Sequence, residues 1–307
     1  MARIAFVFSG QGAQHPGMGE DFYNNSESAK ALFDAAEELR PGTKETCFSG
    51  PEDALKQTAN TQPCLYLADL SAALALDEAG IKADAVAGFS LGELPALAYA
   101  GAFTKETGFA VTKKRGELMG AVSTPDTAMY AVLKLENSVV EDICSHYAHV
   151  TPVNYNAPGQ LVISGDKAEL DEAAKEVKAA GGRALPLAVS GAFHSPYMNE
   201  PAEAFSAYLD TVDANAPAIP VYANYTAKPY EGAVKDTLSV QMNHPVRWDQ
   251  TVRNMVSDGI SVFIECGVGN TLTKLISKIA PDTKVFKCET MEEIAAIKAA
   301  LSEEEPA

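Results

Sequence analysis

The sequence predicts an α/β fold with a parallel central sheet, interrupted by a smaller inserted α+β unit. Three observations carry this. In the first hundred residues, short apolar runs alternate with segments of helical spacing. The runs are apolar throughout rather than every second residue, as in strands covered on both faces. From about residue 126 the order becomes strand, helix, strand, strand, helix, strand, the split unit of ferredoxin-like domains.

The elements follow in chain order. Residues 4–8 form an apolar run that enters a glycine-rich stretch from Gly10 to Gly19, so they read as a buried strand and its loop. A helix is expected over 21–39 and another over 63–79, the latter stopped by Gly80. Residues 85–89 read as a second buried strand, and 91–100 as the next helix. Strands are then expected over 128–135, 150–155, 161–164 and 184–189, with helices over 139–147 and 167–180. The inserted unit spans 126–190, leaving 1–125 and 191–307 for the larger domain. The one low-complexity piece is the acidic end Glu303-Glu304-Glu305.

Of the 307 residues, 47% are hydrophobic, and 24 Lys plus Arg face 41 Asp plus Glu, a formal charge of -17. That length supports a large core, and the acidity argues against general affinity for nucleic acid or anionic lipid, which need a basic field. It leaves room for a local basic patch. The 5 cysteines are scattered and never spaced as C-x-x-C, so they read as reduced and buried. The opening Met-Ala-Arg-Ile lacks a secretory pattern and no run approaches 18 apolar residues, so a soluble cytoplasmic protein is expected.

Gly88-Phe89-Ser90-Leu91-Gly92 matches G-x-S-x-G, a strand-to-helix turn that lifts a serine hydroxyl above the sheet edge. Ser90 and Glu93 also fit a capping box, so nucleophile and helix cap are both open readings. A nucleophile needs a base. Of His15, His146, His149, His194 and His244, the position of His194, where the chain leaves the inserted unit, suits a site residue best. Arg115 lies midway across the apolar stripe of its helix, with Val111, Leu118, Met119 and Val122 within about 60° of it. A buried guanidinium there needs a carboxylate or equivalent partner, either within the protein or on a substrate. The Gly10-Gln11-Gly12-Ala13-Gln14 loop lacks the third glycine of a dinucleotide fingerprint and the Gly-Lys-Ser/Thr of a P-loop. It can instead bring Gln11 beside the Ser90 turn, where an amide donor would serve an oxyanion hole.

Six segments together resemble the malonyl-CoA:acyl carrier protein transacylases over nearly the whole chain. They are residues 10–19, Gly88-Phe89-Ser90-Leu91-Gly92-Glu93, Lys114-Arg115-Gly116, Asn156-Ala157-Pro158-Gly159-Gln160, Gly191-Ala192-Phe193-His194-Ser195 and Pro245-Val246-Arg247-Trp248. The resemblance implies a hydrolase-like larger α/β domain with a ferredoxin-like insert. It also implies Ser90 as the acylated nucleophile, His194 as its base, and Gln11 with the Leu91 backbone amide as the oxyanion hole. Arg115 would hold the malonyl carboxylate, and a backbone carbonyl at Gln241 would orient the histidine in place of an acid. Asn156 and Phe193 fall among the implied substrate-binding residues.

The implied reaction moves malonyl from malonyl-CoA to the phosphopantetheine thiol of an acyl carrier protein, with no metal or bound redox cofactor and no need for more than a monomer. Phe89 stands where the family usually has histidine, and Ala192 where it has proline. Phe193 resembles malonyl-selective members, whose bulky ring leaves little room for a methyl branch. Rival readings are a polyketide-synthesis acyltransferase, a serine esterase or thioesterase, and a non-catalytic module that binds carrier protein or acyl-CoA. Both CoA and carrier proteins are acidic, so cations near the Ser90 mouth are needed; Lys113, Lys114, Lys274, Lys278, Lys284 and Lys287 are the candidates.

Overall fold

Strand β1 (Arg3–Phe8) lies at the centre of a five-stranded sheet, and its residues 5–8 are wholly buried, which is why its apolar run does not alternate. The computed structural model describes residues 2–189 and 191–302; Ser190 of the link before His194 and the acidic end Glu303-Glu304-Glu305 lie outside the described residues. The sheet partners are β2 (Ala85–Gly88), β7 (Val221–Tyr222), β8 (Ile260–Cys266) and β9 (Lys284–Cys288). Their order is β7-β2-β1-β8-β9, and every pairing is parallel. Period-two side chains supply two cores. Phe6, Phe8, Val86 and Ile264 face one way, whereas Ala5, Val7, Ala87 and Phe263 pack the other way with Trp248, Val252 and Ile276.

A second sheet holds β3 (Thr127–Leu133), β4 (Val150–Ala157), β5 (Gln160–Asp166) and β6 (Arg183–Pro186), in the order β4-β5-β3-β6 and antiparallel throughout. Helices Asn137–Ser145 and Lys167–Ala179 cover one face through Val140, Ile143, Leu170 and Val177. On the other face Met129, Val153 and Val162 join the large core. Main-chain bonds tie the smaller sheet to the segment that enters helix Trp248–Ser257: Tyr155 N–H donates to Val246 O at 2.9 Å, and Val246 N–H to Val153 O at 2.8 Å.

Several boundaries differ from the sequence expectation. The helix expected over 21–39 is two helices, Glu20–Asn25 and Glu27–Leu39, because Ser26 turns extended and its Oγ accepts the Ala29 N–H at 3.1 Å as an N-cap. The helix expected from Pro63 begins at Thr58 and runs to Glu78, carrying the proline in its second turn. The expected last strand stops at Pro186, although Leu187 N–H still donates to Met129 O at 2.9 Å. All five cysteines are free and buried. Among the described residues no helix is long and apolar enough to cross a membrane.

Candidate active site

The Ser90 turn is imposed by close approach. A Cβ on Gly88 would lie 1.9 Å from the Gly92 carbonyl carbon, and one on Gly92 would lie 2.2 Å from Phe8 O, so neither position admits a side chain. Between them Ser90 takes φ 53°, a left-handed conformation that favours glycine. A single 3-10 turn, Ser90–Gly92, precedes helix Glu93–Tyr99, so the helix expected from Leu91 starts two residues later. The serine side chain makes no cap bond. Glu93 turns inward to Tyr230, Asn224 and Gln241, so the capping-box reading fails.

Ser90 Oγ lies 2.7 Å from His194 Nε2. On the far side of the ring, Nδ1 is 3.1 Å from the carbonyl oxygens of both Gln241 and His244, and carbonyls only accept. Nδ1 therefore carries the proton and Nε2 is free to accept one from the serine. His194 is itself left-handed at φ 61° and buried, with its N–H held by Met242 O at 3.0 Å. Burial and then the Arg115 guanidinium push its pKa down to about 4, so the ring is neutral at physiological pH. The other four histidines sit elsewhere: His15, His146 and His149 pair with Glu289, Glu176 and Glu169, and the His244 ring bonds Val240 O.

Arg115 projects from helix Lys105–Ala121 and is 1% exposed. Gly116, whose Cβ would lie 3.0 Å from Thr58 O, lets this helix pack closely on Thr58–Glu78 and so brings Arg115 to Gln62. Nη1 donates to Gln62 Oε1 at 2.8 Å; Nε and Nη2 both donate to Gln241 Oε1, at 3.2 and 2.8 Å; Nη2 also donates to Ser90 Oγ at 3.2 Å. Four of the guanidinium's five N–H groups are thus used, and the Nε edge is closed by Gln241. The edge that remains joins Nη1 to the Nη2 group directed at Ser90. No carboxylate pairs with Arg115 within ion-pair distance among the described residues. Burial lowers its pKa to about 10, so it stays charged at neutral pH.

The remaining expected residues divide. Leu91 is buried, and its backbone N–H donates to no group among the described residues. The Gly10-Gln11 loop does abut the turn, since a Cβ on Gly10 would lie 2.8 Å from Phe89 O, but the Gln11 side-chain amide donates to Thr58 Oγ1 at 3.2 Å rather than toward Ser90. Only its main-chain N–H is left for an oxyanion. Asn156 is buried on β4 with its Oδ1 unpartnered, and makes no hydrogen bond to Ser90, His194 or Arg115. Phe193 is buried in the large core. Phe89 packs edge-on to Trp248 at 5.7 Å. Of the candidate cations, Lys287 pairs with Glu293 at 2.5 Å and Lys113 with Glu117 at 3.9 Å.

Sequence reasoning missed Gln62, Glu93, Asn224, Tyr230, the His244 carbonyl and the Gln241 side chain. Gln62, Asn224 and Tyr230 are polar groups in otherwise unmarked segments, whereas Glu93 was read as a helix cap. The one available signal was Glu93 in a helix whose first six residues are buried.

A serine at a strand-to-helix turn, bonded to a neutral buried histidine and flanked by a guanidinium without a carboxylate partner, defines a serine-dependent protein of acyl-group chemistry. The profile of the acyl transferase domain family matches residues 5–291. A malonyl CoA-acyl carrier protein transacylase of Bacillus subtilis is 35% identical, covering 99% of each chain, and the Bacillus subtilis polyketide biosynthesis transacylase PksC is 41% identical over 92% of this chain and 99% of its own. The crystal structure of the Clostridium perfringens malonyl CoA-acyl carrier protein transacylase superposes with a TM-score of 0.96 at 34% identity, covering 99% of this chain and 98% of that one. A malonyl-transacylase in complex with a holo acyl carrier protein of type II polyketide synthesis superposes at 0.92 with 32% identity, covering 96% and 98%. The chain belongs to the acyl transferase domain family, among the malonyl CoA-acyl carrier protein transacylases.

Proposed function

We propose that this protein transfers malonyl from malonyl-CoA to the phosphopantetheine thiol of an acyl carrier protein by a ping-pong route through a malonyl-serine ester, supplying fatty acid or polyketide synthesis. One observation carries the reading: the Ser90 hydroxyl stands between His194 Nε2 at 2.7 Å and Arg115 Nη2 at 3.2 Å. A base that activates the nucleophile and a cation that fixes the far carboxylate of a short diacid thus meet on one oxygen. A neutral acyl group would leave that guanidinium edge unmatched, which disfavours an esterase or thioesterase.

As Ser90 Oγ attacks the thioester carbonyl, its proton passes to His194 Nε2, and the main-chain carbonyls at Nδ1 hold the resulting imidazolium. The backbone N–H groups of Leu91 and Gln11 receive the oxyanion. Collapse breaks the carbon–sulfur bond, and CoA leaves as a thiol with the proton from Nε2. The carrier thiol then attacks the ester, giving its proton to His194, which returns it to Ser90 Oγ. No step calls for a metal or redox cofactor.

The same reading takes 126–190 as a ferredoxin-like insert in a hydrolase-like domain of 1–125 and 191–307, supported by the strand order β4-β5-β3-β6 and by the parallel larger sheet. It takes Phe193 as the wall against a methyl branch and Asn156 as a further substrate-binding residue. It further takes a cytoplasmic monomer, docked to its acidic carrier through local cations. Intact mass after mixing with malonyl-CoA tests the chemistry. A gain of one malonyl group, absent in Ser90→Ala and discharged by holo carrier protein, is expected; rapid net hydrolysis instead would make the protein a thioesterase.

A further inference from the structure

The pairing of β7 with β2 registers Val86 with Val221 and Ala87 with Tyr222, so continuing the ladder two residues would set Phe89 opposite Asn224. The main chain does not continue it. The Asn224 N–H, which would point at Gly88 O in a continued ladder, donates to Glu93 Oε2 at 2.9 Å. Instead the Asn224 side chain takes the vacant rung: Nδ2 donates to Gly88 O at 2.6 Å, and Oδ1 accepts the Ser90 N–H at 2.6 Å. A residue in a parallel ladder bonds the C=O before and the N–H after the residue it faces, and the carboxamide reproduces both bonds around Phe89.

We propose that Asn224 is the positioning residue of the nucleophile, holding Ser90 in its left-handed conformation so that Oγ meets His194 and the Leu91 N–H stays free. A serine at φ 53° relaxes unless its surroundings over-determine it. Asn224 fastens both ends of the turn, and it is held in turn by Glu93, a wholly buried carboxylate that also accepts from Tyr230 Oη and Gln241 Nε2. By occupying the Ser90 N–H it also settles which amide of the turn can serve an oxyanion. The inference rests on Ser90 being the acylated group.

The test compares the parent with Asn224→Ala and Asn224→Asp. The aspartate keeps an acceptor for Ser90 N–H but sets a second acceptor against Gly88 O. Rapid-quench intact mass gives the rate of malonyl-serine formation, steady-state kinetics give KM, and thermal unfolding reports the fold. Acylation about 100-fold slower in each folded variant, with KM for malonyl-CoA within about twofold, is expected, because a small misplacement of a reacting atom costs rate rather than binding. A folded variant that acylates within about twofold of the parent overturns the proposal, whatever its stability. Hydrogen exchange on the parent decides independently of the variants: a Ser90 amide protected like the core strands supports the clamp, and one that exchanges like an open loop overturns it. A parent that gains no malonyl mass overturns the acyl-serine reading itself, leaving the exchange result to judge the clamp.

Discussion

Gln241 Oε1 accepts two hydrogen bonds from Arg115, from Nε at 3.2 Å and from Nη2 at 2.8 Å. The same side chain donates through Nε2 to Ser90 O at 2.7 Å, and its main-chain carbonyl accepts from His194 Nδ1 at 3.1 Å. One residue therefore touches the guanidinium, the Ser90 turn and the His194 ring. It closes one edge of Arg115 and so limits the edge left for the proposed malonyl carboxylate.

Gln241→Ala separates these contacts, since the main-chain carbonyl survives and the carboxamide does not. Malonyl transfer is expected to fall by roughly 10–100-fold as Arg115 loses its orientation. The pH dependence governed by His194 should stay in place. Single-turnover acylation over a pH series measures both; a displaced acid limb would mean that the side chain, and not the carbonyl, supports the imidazole.

Arg115→Ala removes the proposed carboxylate partner. Losing a charged hydrogen-bonded contact of about 3 kcal/mol corresponds to roughly a hundredfold loss in kcat/KM for malonyl-CoA, while acetyl-CoA is spared or improved. Arg115→Lys restores the charge but not the planar fork that Gln62 and Gln241 hold in place, so only partial recovery is expected. Equal losses for both acyl groups would remove the carboxylate role.

For His194, the folded pKa of about 4 lies below the ordinary 6.5. The neutral base thus persists well below pH 6.5, and kcat/KM for acylation is expected to hold until its acid limb near pH 4 to 5. Stability follows the same displacement. Between pH 6.5 and about 4 the unfolded chain binds a proton at this position that the folded chain does not, so this group's contribution is complete above pH 6.5 and is lost as the pH falls. Denaturant titrations across that window, compared with His194→Gln, should show a shallower decline in the variant.

Ser26→Ala removes the cap that divides the first helical segment. A loss of about 1 kcal/mol is expected, lowering Tm by about 2 °C without changing transfer rates. Thermal unfolding beside steady-state kinetics checks both.

What could be read along the chain was what neighbours in sequence impose. The apolar run of β1 required cover on both faces, Gly88 and Gly92 required a tight turn at Ser90, and the position of Arg115 among Val111, Leu118 and Met119 placed a charge in the interior. Helix limits were less legible, because Ser26 and Pro63 act through backbone geometry that periodicity does not register. Gln11 was legible as a neighbour of the turn but not in its side-chain direction, which the hydroxyl of Thr58 decides.

The sequence by itself therefore determined the parallel sheet, the serine turn, the buried arginine and, through its resemblance, the family. Only the tertiary structure decided which polar groups meet there. Asn224 reaches Ser90 across 134 positions, Gln241 reaches Arg115 across 126, and Gln62 reaches it across 53. An amide in a sequence carries no mark of its partner. Its donor and acceptor are assigned only when strands and helices pack and each buried polar group must find one.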